Sequence, residues 1–126
     1  MTFHRKNFPS FIIKTTGEIT PTIPDDEEFS GQQIHDHVAG FPEVICETCD
    51  GFLLFRNRDA SAEGLPFNPL ATSVYTKYAR RPCPVSGTVF LAHPNHVQSY
   101  WRRKLHADGA KRWAGPYMSD PDVNAV

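Results

Sequence analysis

The sequence predicts an α+β fold, a small and mostly antiparallel β-sheet with two or three packed helices. Three observations lead there. Short apolar runs rich in β-branched and aromatic residues are separated by Gly and Pro punctuation. Three other stretches carry helix start and stop signals. The chain has 126 residues, about one domain's worth, with 11 prolines that favour many short elements over a few long helices.

FIIK at 11–14 and ITPTI at 19–23 flank TTGE, whose glycine suits a turn. Pro21 marks the second run as an edge strand. After the acidic PDDEEF, Ser30 is a helix N-cap with Gln33 as its capping-box partner, and Phe29 with Ile34 has the spacing of a hydrophobic staple. That helix, 31–39, ends at Gly40. Strands near 43–49 and 52–56 follow, joined through Asp50-Gly51 as a two-residue hairpin turn that sets Cys49 opposite Phe52 and puts Val44, Cys46 and Thr48 on one face. Asn68 caps a helix over 69–79 with Pro69 at its first position, and Leu70, Val74 and Tyr78 repeat at helical spacing. PVSGTVFLA supplies a strand near 86–92. A third helix, 96–107, is expected with Asn95 as its cap, its cationic Arg102, Arg103 and Lys104 near its C-terminus, and Gly109 as its stop. The expected organisation is one α+β domain over 1–113 and a flexible tail over 114–126.

A hydrophobic share of 40% against a charged share of 21% excludes wholesale disorder. The apolar run near the N-terminus is too short for a signal peptide and no stretch approaches a membrane span, so a cytoplasmic location without membrane contact is expected. Three cysteines are too few for a secreted disulfide framework, leaving free thiols or metal ligands. The net charge of −1 conceals a division: residues 1–65 hold five Lys/Arg against eleven Asp/Glu, while 77–113 hold eight against Asp108 alone.

A structural zinc site would draw on Cys46, Cys49, Cys83 and one of His93 or His96, but a second C-x-x-C is missing and a regular strand sends Cys46 and Cys49 to opposite faces. The hairpin reading is preferred, with no metal and no cofactor. His35 and His37, two apart on a helix, point about 200° apart and cannot share an ion. Nucleophile-elbow, phosphate-loop, dinucleotide and zinc-protease signatures are absent from the sequence, which favours a non-enzyme. Trp101, Arg102, Arg103, Lys104, Lys111 and Arg112 interleave cations with indoles as a nucleic-acid or nucleotide binder using 98–113 would, against an overall pI of about 6.6. Asn68 and Thr72 suit helix capping, or could instead present polar groups to a ligand or partner.

Gly64-Leu65-Pro66-x-Asn68-x-x-Ala71-Thr72, in the order FIIKTTGEI, helix, EVICETCDGFLLF, GLPFNPLAT, PVSGTVFLA, resembles a family of short proteins of uncharacterised function carried mainly by bacteriophages and other mobile elements. The resemblance spans about residues 11–92. Thr88 departs from it where the family's closing motif has an acidic residue, the segment from His93 onward looks like an addition, and the cysteine pair is outside the pattern. The resemblance implies a small non-catalytic accessory protein in the host bacterial cytoplasm that binds and modulates a host or defence component. Nucleic-acid binding and a small zinc module stand as the alternatives, and homo-oligomers remain open.

Overall fold

The structure, a computed structural model, describes residues 8–79 and 83–100. Its five strands, β1 (Ser10–Ile13), β2 (Ile19–Thr22), β3 (Pro42–Glu47), β4 (Leu53–Asn57) and β5 (Val89–Ala92), form one antiparallel sheet in the order β2-β1-β5-β4-β3. Two helices, α1 (Gly31–Val38) and α2 (Pro69–Ala79), sit on opposite faces. This is the α+β architecture the sequence predicts.

Strand alternation sorts the core into two layers. Against α1, Phe55 and Phe90 pack beside Ile34, Val38, Phe29 and Val97. Against α2, Leu54, Val89, Ile45 and Cys46 pack beside Ala71, Tyr75 and Ala79. Phe55 and Phe90 are fully buried, and each contributes about 2–3 kcal/mol relative to an exposed ring.

Local chemistry sets the helix ends. The Gln33 N–H donates to Ser30 Oγ at 3.1 Å and the Ser30 N–H donates to Gln33 Oε1 at 2.8 Å, a complete capping box. At the other end the left-handed residue is Ala39, φ 57°, rather than the expected glycine. Gly40 answers a different demand. A Cβ there would lie 2.5 Å from Asn57 Nδ2, and that buried amide is already held by Ala39 O at 3.2 Å and Glu63 Oε1 at 3.1 Å.

Three expectations about the strands and their hairpin change in the structure. The 43–49 strand is interrupted by a bulge between Val44 and Cys46, so Val44 faces α1 while Ile45 and Cys46 both face α2. The hairpin loop has three residues: the Thr48 N–H donates to Phe52 O at 2.8 Å, the Gly51 N–H donates to Thr48 O at 2.9 Å, and Gly51 takes φ 88°. Thr48, not Cys49, therefore faces Phe52. The run expected as a strand from 86 pairs only from Val89, because Gly87 turns at φ 80° and Ser86 bridges Phe67.

Asn95 does not open the third helix. A 3-10 turn, Pro94–His96, is capped by His93 Nδ1, which accepts from the Asn95 N–H at 3.1 Å; helical residues begin at 98. There the Glu28 carboxylate accepts from the Ser99 N–H at 2.8 Å, a negative charge at the positive end of a helix. The expected course of this helix beyond 100 and the expected tail 114–126 lie outside the described residues.

Ala39→Gly relieves a left-handed alanine on the surface and is expected to raise stability by about 0.5–1 kcal/mol. Gly40→Ala drives a methyl into the Asn57 amide and is expected to cost about 1–3 kcal/mol. Urea denaturation of both variants beside the parent measures the opposite signs.

Candidate functional site

Asn68, singled out for its place in GLPFN, is completely buried. Its Oδ1 accepts from the Ala71 N–H at 3.0 Å, while Nδ2 donates to Ile13 O at 3.1 Å and Gly87 O at 2.8 Å. Thr72 Oγ1 accepts from the Val85 N–H at 2.9 Å and lies 3.4 Å from Val85 O. Both side chains thus spend their hydrogen bonds inside the fold, joining α2 to β1 and to the approach to β5.

Of the five residues considered for a metal, His93 and His96 lie with ring centroids 5.0 Å apart, while the three cysteines occupy different environments. Cys46 is buried against α2, and burial pushes its thiol up to about 12. Cys49 is exposed in the hairpin loop, its Sγ 3.9 Å from Tyr78 Oη. Cys83 packs half-buried beside the α2 cluster. Among the described residues no group of three or more His, Cys, Asp or Glu is placed to hold a metal ion.

His93 and His96 instead close one end of the sheet. Ser10 Oγ, buried, accepts from the His93 N–H at 2.8 Å and sits 2.8 Å from His96 Nδ1. His96 is buried against Phe29, and its backbone O accepts from the Phe29 N–H at 2.8 Å. His93 Nδ1 accepts the Asn95 N–H, so the neutral ring carries its proton on Nε2, the wrong tautomer for binding a metal through that atom. His37 turns inward, edge-on to Phe29 at 5.2 Å, and its buried Nε2 has no hydrogen-bond partner among the described residues. Trp101, Arg102, Arg103, Lys104, Lys111 and Arg112 lie outside the described residues, which themselves carry four Lys/Arg against eleven Asp/Glu, a balance of −7.

The surface that stands out consists of residues without any reactive group. Register aligns Pro21 with Phe11 and Ile19 with Ile13, so Ile19 and Pro21 lie on the α2 face of the sheet. The α2 cluster spans β3, β4 and β5 and reaches Ile13 on β1, but among the described residues it includes none from β2. Ile19 is left 50% exposed and Ile23, just beyond the strand, 51%. Thr20 and Thr22, on the other face, are the better buried pair, so β2 is apolar toward water and polar toward the protein. Phe11 extends the face and stacks on Phe52 at 6.4 Å, which meets the His93 ring at 5.2 Å. The signal was present in ITPTI, where the apolar residues fall at every second position.

The outer edge of β2 is poorly suited to strand addition. The Lys14 N–H donates to Glu18 O at 2.9 Å, so in alternating antiparallel order the 13/19 and 11/21 pairs lack cross-strand bonds. The missing N–H of Pro21 therefore falls on the outward edge, interrupting its row of donors.

No described helix is long and apolar enough to cross a membrane. Compared with known proteins, the chain matches no family model, no curated protein and no solved structure.

Two outcomes follow from these environments. Burial holds His37 and His93 below the usual histidine range, with His96 adding to the effect on His93 and Asp36 opposing it on His37. The unfolded chain then binds more protons, so their stabilisation is complete above a pH of about 6.5 and is lost as pH falls through the lowered native values. Thermal melts are expected to drop across that window, with a flatter profile in His93→Asn. Separately, a thiol reagent at a pH of about 8 is expected to modify Cys49 in the native protein and Cys46 only after denaturation, as read by peptide mass spectrometry.

Proposed function

We propose that this chain is a non-catalytic accessory protein of a phage or other mobile element, working in the host cytoplasm by binding a host or defence protein. The observation that carries the reading is the inverted β2 strand, with Ile19, and Ile23 just beyond it, half exposed while its threonines turn inward. Covering the exposed half of one such isoleucine is worth about 0.7–1.5 kcal/mol, so a partner that seats on this face gains from residues the fold leaves in water. The resemblance of residues 11–92 to short mobile-element proteins supports the setting. The internal use of Asn68 and Thr72 accounts for the most distinctive motif without a ligand.

The nucleic-acid reading rests on the basic 98–113 segment, most of which lies outside the described residues, in a chain whose net charge is −1. Zinc remains a proposal for the whole chain, testable by native mass spectrometry.

A photo-crosslinking residue at Ile19, with the full chain expressed in bacterial cytoplasm, tests the reading. The expected result is one discrete adduct whose purified protein forms a stoichiometric complex with the unmodified chain. Adducts equal to those from exposed Ser73 on α2, with no reconstituted complex, would overturn it.

A further inference from the structure

We infer that the β1–β2 face takes a cationic, apolar polypeptide segment; the inference rests on the binding function proposed above and specifies the chemistry of the partner. The apolar side chains Ile19, Pro21 and Ile23 run along the chain directly into Pro24 and the exposed Asp25 and Asp26. Neither aspartate has an ion-pair partner among the described residues. Lys14 is the one Lys or Arg between residues 8 and 55, and its Nζ is 3.6 Å from Glu18 Oε1, which leaves no unpaired described cation on this hairpin to repel a positive partner.

The local charge acts in the same direction: the exposed Asp25 and Asp26 disfavour an acidic segment at Ile19 and favour a basic one. Because Pro21 interrupts the outer edge, recognition runs through side chains seated on the face, with apolar groups over Phe11, Ile19 and Pro21 and cations beside Asp25 and Asp26.

The test is an NMR titration of the isotope-labelled full chain with three short synthetic peptides that alternate leucine with lysine, serine or glutamate. The lysine peptide is expected to shift the amides of 11–13 and 19–26. Its affinity should fall at least about tenfold between about 50 and about 300 mM salt, as the Debye length shortens. Asp25→Asn with Asp26→Asn should weaken it by a few-fold, up to about tenfold, and Ile19→Asp should abolish it while leaving the remaining spectrum folded.

Equal binding of the three peptides would overturn the charge preference yet leave the face as a binding surface. Concentration-dependent self-association abolished by Ile19→Asp would make the occupant a second copy and overturn the cationic partner. No shift on 11–13 or 19–26 with any peptide would also overturn the inference, whereas the crosslink at Ile19 decides the broader function independently.

Discussion

Asn68 is the joint on which this fold depends. The chain leaves β4 at one side of the sheet, crosses through α2, and must return to insert β5 between β4 and β1. The return strands backbone groups at Ile13 and Gly87 in the interior, where an unmade hydrogen bond costs about 1–3 kcal/mol each. The Asn68 amide satisfies both while its oxygen caps α2, so one side chain fixes the helix start, the end of β1 and the entry to β5. The backbone repeats the connection: the Asn68 N–H donates to Val85 O at 2.8 Å and the Gly87 N–H to Pro66 O at 2.7 Å. Gly87 is required at φ 80°, and its Cβ would stand 3.0 Å from Leu65 Cδ1. The GLPFN segment and the Val-Ser-Gly before β5 thus form a single clasp.

That clasp determines what stays uncovered. With β5 held in the middle, β1 becomes its neighbour and β2 is pushed to the rim. α2, tethered at Asn68 and again at Thr72, lies over the other side of the sheet and extends no further than Ile13 in its core cluster. On the opposite face the Ser10, His93 and His96 contacts and the Glu28 carboxylate at residue 99 draw the chain after β5 against α1's side. Among the described residues no element is laid over the apolar side of β2.

How much of this was legible in the sequence follows from the range of the interactions involved. Both helices and the Ser30–Gln33 box could be read because capping is settled within three or four residues. The bulge at Ile45 could not, since it answers to α2 across the sheet, which receives Ile45 and Cys46 side by side. Asp50-Gly51 was a true turn signal with an ambiguous register: the same dipeptide closes a two-residue loop or, as here, ends a three-residue one with Gly51 left-handed. Ala39 carries a conformation usually given to glycine because Gly40 is needed against Asn57, a long-range demand with no local mark.

The candidate site was less legible for a related reason. Sequence reading is drawn to asparagines, cysteines and histidines, yet in a fold this small a polar group near the core must be satisfied or it costs more than it returns. Asn68, Thr72, Ser10 and Asn57 are consumed in that way, each tied to backbone or side chains from distant segments. Apolar residues face the opposite constraint, since leaving them in water is the costly arrangement. Ile19 and Pro21 would take more apolar surface out of water if exchanged with Thr20 and Thr22, and the register of β2 against β1 presents them outward instead. A one-residue slip would invert that choice, but the Lys14–Glu18 turn bond and the Phe11–Pro21 pairing, which alone sends the missing proline N–H to the rim, hold the strand in the register that keeps its isoleucines in water.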